Sequence, residues 1–277
     1  MDLLFQTKFF IKKTGLKPDK LKGQNFCVDE EVIKEMVRVA QVSNKDMVLE
    51  VGPGFGFLTA ELLKKAKQVM AVELEKKLIG VLKRLEKVHQ NLEVVEGDIF
   101  KIPNYKFKNS YKIVSNLPYS ITSAFLKKFL TADNKPQAMT LLIQKEVAER
   151  ICAKPGQMSR LALSVQLYGR PQIIKIVSPE SFWPQPKVAS AILQIDNIMA
   201  FPYADRLAEK DFWRIVRSGF CSKRKQLHNN LAGSLQLPAD KVKQILLKLS
   251  LDPKIRAQEL SINNWVELSC YVAKLLC

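Results

Sequence analysis

Between Asp46 and Leu63 the chain passes from a short apolar run, Asp46-Met47-Val48-Leu49-Glu50-Val51, through Gly52-Pro53-Gly54-Phe55-Gly56 into the helical pattern Phe57-Leu58-Thr59-Ala60-Glu61-Leu62-Leu63. Strand, tight glycine turn and helix in that order commit a chain to an α/β layer in which backbone approaches a ligand closely, because glycine accepts positive φ and has no side chain in the way. The spacing is G-x-G-x-G rather than the G-x-G-x-x-G of dinucleotide sites, and Glu50 stands just before it. An acidic residue there suits a cationic amino group better than a pyrophosphate. A second strand-like run, Val69-Met70-Ala71-Val72, ends in Glu73, about 20 residues after the loop, where a carboxylate grips a ribose diol in such folds. A third, Leu92-Glu93-Val94-Val95, runs into Glu96-Gly97-Asp98-Ile99 and places Asp98 to accept from an adenine amine. Ligands of open α/β sheets sit at these carboxyl ends. An adenosine and an amino acid are both implied, and S-adenosylmethionine joins the two.

A fourth run, Lys112-Ile113-Val114-Ser115, ends in Asn116-Leu117-Pro118-Tyr119. The exocyclic amine of adenine is a poor nucleophile because its lone pair is delocalised into the ring, so a methylating catalyst must draw its hydrogens out of plane with two acceptors. The Asn116 side-chain carbonyl can be one. The Leu117 backbone carbonyl can be the other, since Pro118 has no N–H with which to continue pairing. Tyr119 offers a flat face for an extruded base. Read alone, the four residues fit equally well an Asn-x-Pro turn followed by a packed tyrosine.

Farther along, Gln137 to Ile143 reads as a fifth strand and Lys145 to Cys152 as the helix after it. Pro171 to Val177 and Ala189 to Ile195 would complete the sheet, with the proline-rich Phe182 to Pro186 loop between them near the active face. Alternation of strands and helices implies a parallel, doubly wound sheet. From about Ala204 the pattern turns helical, over Asp211–Phe220, Lys223–Leu231, Ala239–Leu249 and Asn264–Leu276, which predicts a small second domain. Trp183, Trp213 and Trp265 read as packing residues, and Glu146 and Glu149 as helix-surface groups.

The formal charge of +17 makes nucleic acid or another acidic surface the expected partner. The charge is clustered. Lys8, Lys12, Lys13, Lys17, Lys20 and Lys22 precede the first motif, while Arg214, Arg217, Lys223, Arg224 and Lys225 crowd a late helical stretch. Five scattered cysteines, Cys27, Cys152, Cys221, Cys270 and Cys277, form no C-x-x-C pair and suit a reducing compartment. With only His89 and His228 beside them, no zinc-ligand spacing exists and no metal is expected. No stretch approaches the roughly 18 apolar residues of a membrane helix, and the N-terminus lacks signal-peptide features, so a cytoplasmic protein without membrane contact is expected.

Gly23-Gln24-Asn25-Phe26, Glu50 to Gly54, Gly97-Asp98, Asn116 to Tyr119, Gln144 to Arg150 and Phe182-x-Pro184-x-Pro186-Lys187-Val188-x-Ser190 together resemble, in order, the bacterial small-subunit ribosomal RNA adenine dimethyltransferases, the kasugamycin-sensitivity family. The resemblance implies a Rossmann-like class I methyltransferase sheet with a small helical C-terminal domain, here 1–203 and 204–277. It implies two methyl transfers to N6 of each of two adjacent adenines in the 3′-terminal hairpin loop of 16S RNA, by a monomer acting on the RNA or the immature small subunit. It places cofactor contacts on Asn25, Cys27, Gly52, Gly54, Glu73, Asp98 and Asn116, and the catalytic device on Asn116, Leu117, Pro118 and Tyr119, with Phe182 closing the opposite face of the flipped adenine. Cys27 stands where the family usually has leucine, harmless if the contact is through backbone. The element Phe220 to Leu231 resembles the family's Phe-x-x-Arg-Arg-Lys-x-Leu-x-Asn-x-Leu pattern, so Lys223, Arg224 and Lys225 are the implied RNA contacts, Lys223 keeping charge but losing the planar fork of arginine. Two other readings stay open: an erythromycin-resistance methylase of large-subunit RNA, which shares the Asn-x-Pro-Tyr device, and an RNA-binding assembly factor that retains the fold without catalysis. A DNA adenine methyltransferase is disfavoured, as no separate base-reading module is apparent.

Overall fold

The computed structural model describes residues 2–18, 24–103 and 110–276. Gly23 of the first motif, Lys20, Lys22 and Cys277 therefore lie outside the described residues. Two compact units divide the chain, one formed by residues 1–148 with 169–198, the other by 149–168 with 199–277.

The first unit is built on a seven-stranded sheet. Its strands are β2 (Met47–Val51), β3 (Gln68–Glu73), β4 (Leu92–Glu96), β5 (Tyr111–Asn116), β6 (Ala138–Gln144), β7 (Arg170–Val177) and β9 (Ser190–Asp196), in the order β4-β3-β2-β5-β6-β9-β7. A two-stranded antiparallel ribbon pairs β1 (Phe26–Cys27) with β8 (Phe182–Trp183), setting Cys27 opposite Phe182. The central strands are near-continuous apolar runs because helices cover both faces. Val69, Ala71, Ile113, Val114, Met139, Leu141 and Leu142 are all buried. Pairing from β4 to β6 is parallel, in keeping with the strand-helix alternation of the sequence. β9 departs from it, running antiparallel to both β6 and β7. The connection from β7 to β9 carries β8 and a 3₁₀ turn but no α-helix, which suits an antiparallel return, whereas a parallel crossover usually runs through a helix.

An N-terminal helix, α1 (Leu3–Thr14), is not signalled by the lysine-rich pattern of that segment. Its Asp2 side chain caps Leu4, and its inward face carries Phe10 and Ile11 against Leu16, Phe55 and Leu78. α2 (Glu30–Val39) is capped by Asp29, whose Oδ1 accepts from the Glu31 and Val32 amides. α3 (Phe57–Leu63) leaves the glycine turn directly, and α4 (Lys76–Val88), α5 (Thr122–Leu130) and α6 (Lys145–Ile151) follow β3, β5 and β6.

The second unit is helical, with α7 (Arg160–Gln166), α8 (Glu209–Gly219), α9 (Leu227–Leu235), α10 (Ala239–Lys248) and α11 (Ile262–Leu276). Its core centres on Trp265, which is fully buried, stacks on Phe220 at 5.3 Å between centroids, and lies over Gly219. A Cβ on Gly219 would collide with the Trp265 ring, so glycine is what lets α8 and α11 pack closely there. Trp213 donates from Nε1 to the Tyr168 hydroxyl at 3.0 Å and is likewise a packing residue.

One helical expectation shifts. Lys223, Arg224 and Lys225 form a turn before α9 rather than its first turn, the Lys225 amide donating to the Ser222 carbonyl at 3.3 Å. Asn230 explains the late start: its Nδ2 donates to the Gly219 and Ser222 carbonyls, holding the connection between α8 and α9 as a folded loop. The three cations are thus displayed by a turn, not fanned around a helix.

Candidate active site

The carboxyl ends of β2, β3 and β5 converge on a cavity of about 90 Å³ whose lining includes Asn25, Phe26, Cys27, Glu50, Gly52, Gly54, Phe55, Glu73, Asn116, Leu117, Pro118 and Tyr119. Segments distant in sequence meet there. The glycine turn makes the meeting possible: Gly52 and Gly54 adopt φ of 69° and 62°, and a Cβ on Gly54 would press within 3.1 Å of the Phe26 ring. No lysine or arginine lines this cavity among the described residues, although the chain as a whole carries +17.

Glu50 is 1% exposed, and its Oε2 accepts from the Thr59 hydroxyl at 2.6 Å. Burial, reinforced by the charge of Glu73 and only partly offset by the Thr59 bond, pushes its carboxyl up to about 8. It is therefore an acid held ready beside a cavity, and a cation entering that cavity would favour its ionised form. Glu73 closes β3 and binds the glycine turn through its Oε2, which accepts from the Gly54 amide at 3.2 Å. Its Oε1 accepts from the Leu74 and Glu75 amides at 2.8 and 2.9 Å. Burial raises the Glu73 carboxyl, and these three backbone donors hold the rise in check.

Asn116 is the last paired residue of β5, opposite Leu142. Its Nδ2 donates to the Asn25 carbonyl at 3.2 Å. A carbonyl can only accept, so this bond fixes which end of the amide is nitrogen and turns Oδ1 the other way. The Leu117 amide donates to the Leu142 carbonyl at 3.2 Å, carrying the ladder one residue past the strand before Pro118 stops it. Tyr119 opens a short 3₁₀ turn, is half-buried, and shares a hydrogen bond of 2.8 Å with the Ser190 hydroxyl. Burial raises the phenol above its ordinary range, so it remains protonated.

Cys27 lines the cavity and is buried; desolvation pushes its thiol up to about 12, which makes it an inert packing group. Asp98 lies just past the end of β4, where the Gly97 amide donates to the Glu73 carbonyl at 2.8 Å. It is not on the cavity lining, and its Oδ1 accepts from the Phe100 amide at 2.9 Å. Phe182 is also absent from the lining. It stands directly opposite Cys27 in the ribbon, shares the core with it and is 3% exposed. Two side chains that sequence reasoning passes over hold the site together. The Ser115 hydroxyl accepts from the Val51 amide and donates to the Val51 carbonyl, tying β5 to β2 beyond their last paired residues. Thr59 holds Glu50. Both are small polar residues directly after apolar ones, Val114 and Leu58, and that is the only signal the sequence offers.

Among the described residues no helix is long and apolar enough to cross a membrane, and no group of three His, Cys, Asp or Glu side chains could hold a metal ion. Residues 17–274 match the family model described as ribosomal RNA adenine dimethylase. A relative named ribosomal RNA small subunit methyltransferase A, from Dehalococcoides mccartyi (strain CBDB1), is 40% identical over 96% of this chain and 92% of its own. The crystal structure of a dimethyladenosine transferase from Plasmodium falciparum is 28% identical with a TM-score of 0.74, over 89% of this chain and 96% of its own. That of the 23S rRNA methyltransferase ErmE is 26% identical with a TM-score of 0.71, over 88% and 98% respectively. With a family model matching nearly from end to end, and a Rossmann-like methyltransferase sheet whose β5 ends in Asn-Leu-Pro-Tyr beside a glycine turn, the chain belongs to the ribosomal RNA adenine dimethylase family.

Proposed function

We propose that this enzyme uses S-adenosylmethionine to dimethylate N6 of two adjacent adenines in the 3′-terminal hairpin loop of 16S RNA, in the free RNA or the immature small subunit. The observation that carries the reading is the Asn116 amide, held by Asn25 so that its carbonyl oxygen is the end left to a ligand, beside a cavity furnished with two carboxyls. Small-subunit RNA is favoured over the large-subunit alternative by the identity, coverage and name of the curated relative.

The residues present fit the cofactor. A cavity with Glu50 and Glu73 in its lining and no basic side chain among the described residues suits a cationic ligand, and the cofactor supplies a methyl group on a positively charged sulfur. In this reading Glu73 takes the ribose diol, Asp98 the adenine end, and Asn25, Cys27, Gly52 and Gly54 approach through backbone. The protein's work is orientation and electrostatics. Asn116 Oδ1 and the Leu117 carbonyl accept from the two amine hydrogens of the target adenine, which localises its lone pair toward the transferable methyl group. Tyr119, its hydroxyl tethered to Ser190, supplies the platform on which the extruded base stacks. Tyr119 shares the cavity lining with Phe26, Phe55 and Phe57, and Phe182, 3% exposed, is the residue proposed to close the opposite face of the base. The 204–277 segment serves as an RNA-contacting domain, with Lys223, Arg224 and Lys225 as its phosphate contacts, and the enzyme works as a cytoplasmic monomer.

Primer-extension mapping of adenine dimethylation in 16S RNA, in cells with and without this protein, tests the reading directly. Loss of the two adjacent signals on deletion is expected, and an unchanged pattern would sink it. Glu73→Ala should weaken S-adenosylmethionine binding by calorimetry while RNA affinity stays near native, because the carboxylate belongs to the cofactor side of the cavity. Unchanged cofactor affinity would remove that contact. Replacing Lys223, Arg224 and Lys225 together with alanine should lower the slope of log affinity against log salt by roughly one or two, at about 0.7–0.9 per neutralised phosphate. Affinity that falls without a change in slope would mean that the turn supports the fold instead.

A further inference from the structure

The outward face of α1 is aromatic and basic at once. Phe5 and Phe9 are 59% and 52% exposed, and Lys8, Lys12 and Lys13 are exposed beside them. At about 100° per residue these five positions fall within an arc of roughly 140°, while Leu3, Thr7, Phe10 and Ile11 occupy the opposite side. The inward side is already used: Phe10 stacks on Phe55 of the glycine turn at 5.6 Å between centroids, and Phe55 meets Phe26 at 4.5 Å. Lys77 Nζ donates to the Gly15 carbonyl at 2.7 Å and fixes the far end of the helix. The two outward rings are thus not core residues that failed to find a partner. They stand on a helix bolted to the wall of the cavity, with Lys13 Nζ lying 5.6 Å from the Phe9 centroid.

We infer that this stripe is a docking surface for single-stranded RNA, with Phe5 and Phe9 as stacking platforms for bases and Lys8, Lys12 and Lys13 as phosphate contacts. Stacking rings interleaved with cations at helical spacing are what a flexible strand requires, since every base presents a π-face and every nucleotide a charge. Charge complementarity supports this occupant: Asp2 at the cap is the sole acidic residue from Met1 to Pro18, and the charged side chains of the stripe itself are all cationic. A lipid surface would require a continuous apolar face to insert, whereas Phe5 and Phe9 are two rings set among three lysines, and Phe10 and Ile11 are packed inward. Because Phe10 bears on Phe55, RNA held on the outward stripe would lie one helix thickness from the cofactor turn, on the same unit as the Asn116 device. The inference rests on the proposed action on ribosomal RNA.

The test uses the full-length protein and small ribosomal subunits from cells lacking it, with binding measured over a range of salt and methyl transfer scored in the same samples. Phe5→Ala with Phe9→Ala should weaken binding by roughly 5- to 150-fold per base unstacked, with the salt slope unchanged. Alanine at Lys8, Lys12 and Lys13 should lower the slope by about two, at about 0.7 per single-strand phosphate. Native binding by both variants, or lost binding to anionic phosphatidylglycerol vesicles with RNA binding intact, would overturn the inference. Absence of methyl transfer by the wild-type chain would count against the 16S reading instead, and the two variants' binding curves would still decide the fate of the stripe.

Discussion

Asn116→Ala is expected to lower kcat for methyl transfer on the order of 10²-fold, the effect of removing one preorganised hydrogen-bond partner aimed at charge that develops in the transition state. The substitution removes both ends of an oriented amide. Its oxygen is lost to the substrate, and its nitrogen no longer holds the Asn25 carbonyl at 3.2 Å, so a smaller loss of cofactor affinity should accompany the loss of turnover. Asn116→Asp separates the two. A carboxylate keeps an acceptor but cannot donate to Asn25, so it should misplace the segment that carries Asn25 and Phe26 and impair cofactor binding more than alanine does. Single-turnover kinetics with saturating cofactor would read the chemical step alone. A variant with near-native turnover there would end the role assigned to Asn116.

Trp265→Ala should destabilise the second unit by about 3–5 kcal/mol, the cost of truncating a fully buried aromatic residue in a packed core. The ring is fully buried, stacks on Phe220 and fills the space above Gly219, so little can collapse into the void. The expected signature in thermal unfolding is a lower or separated transition for the helical unit, with the cavity of the first unit still able to bind cofactor. Gly219→Ala should act in the same direction by overpacking, at about 1–3 kcal/mol, because its Cβ would run into the Trp265 ring. A melt superposable on the native one for both variants would show that this contact does not hold the unit together.

Much of the first unit is legible in sequence because its strands are covered on both faces and therefore spell continuous apolar runs that end near the polar residues meeting the cavity: Glu50 before the turn, Glu73, Asn116. What escapes is whatever depends on partners far away in the chain. The reversal of β9 leaves no mark on its own residues, since Ser190 to Asp196 would look the same in either direction. Phe182 occupies a proline-stiffened loop and reads as a ligand contact, and nothing in that loop announces its pairing with Cys27, far earlier in the chain, or its near-complete burial. The lysine-rich start reads as a charged segment, and only the packing of α1 reveals Phe10 and Ile11 as its apolar anchors. Ser115 and Thr59 are buried polar residues in largely apolar runs, and their partners, Val51 and Glu50, show why they are there.

The place of β5 in the sheet has a mechanical consequence. It stands between β2, which brings the glycine turn and Glu50, and β6, beyond which reversed β9 delivers Ser190 to the same edge of the sheet. Ser115 clips it to the first neighbour and the Leu117 amide clips it to the second, within two residues of each other. Strain arising on either flank must converge on this junction, where Asn116 lies between the two clips. The amide proposed to face the target is thus set in a splice fastened on both sides, so a substitution that loosens either fastening is expected to move it.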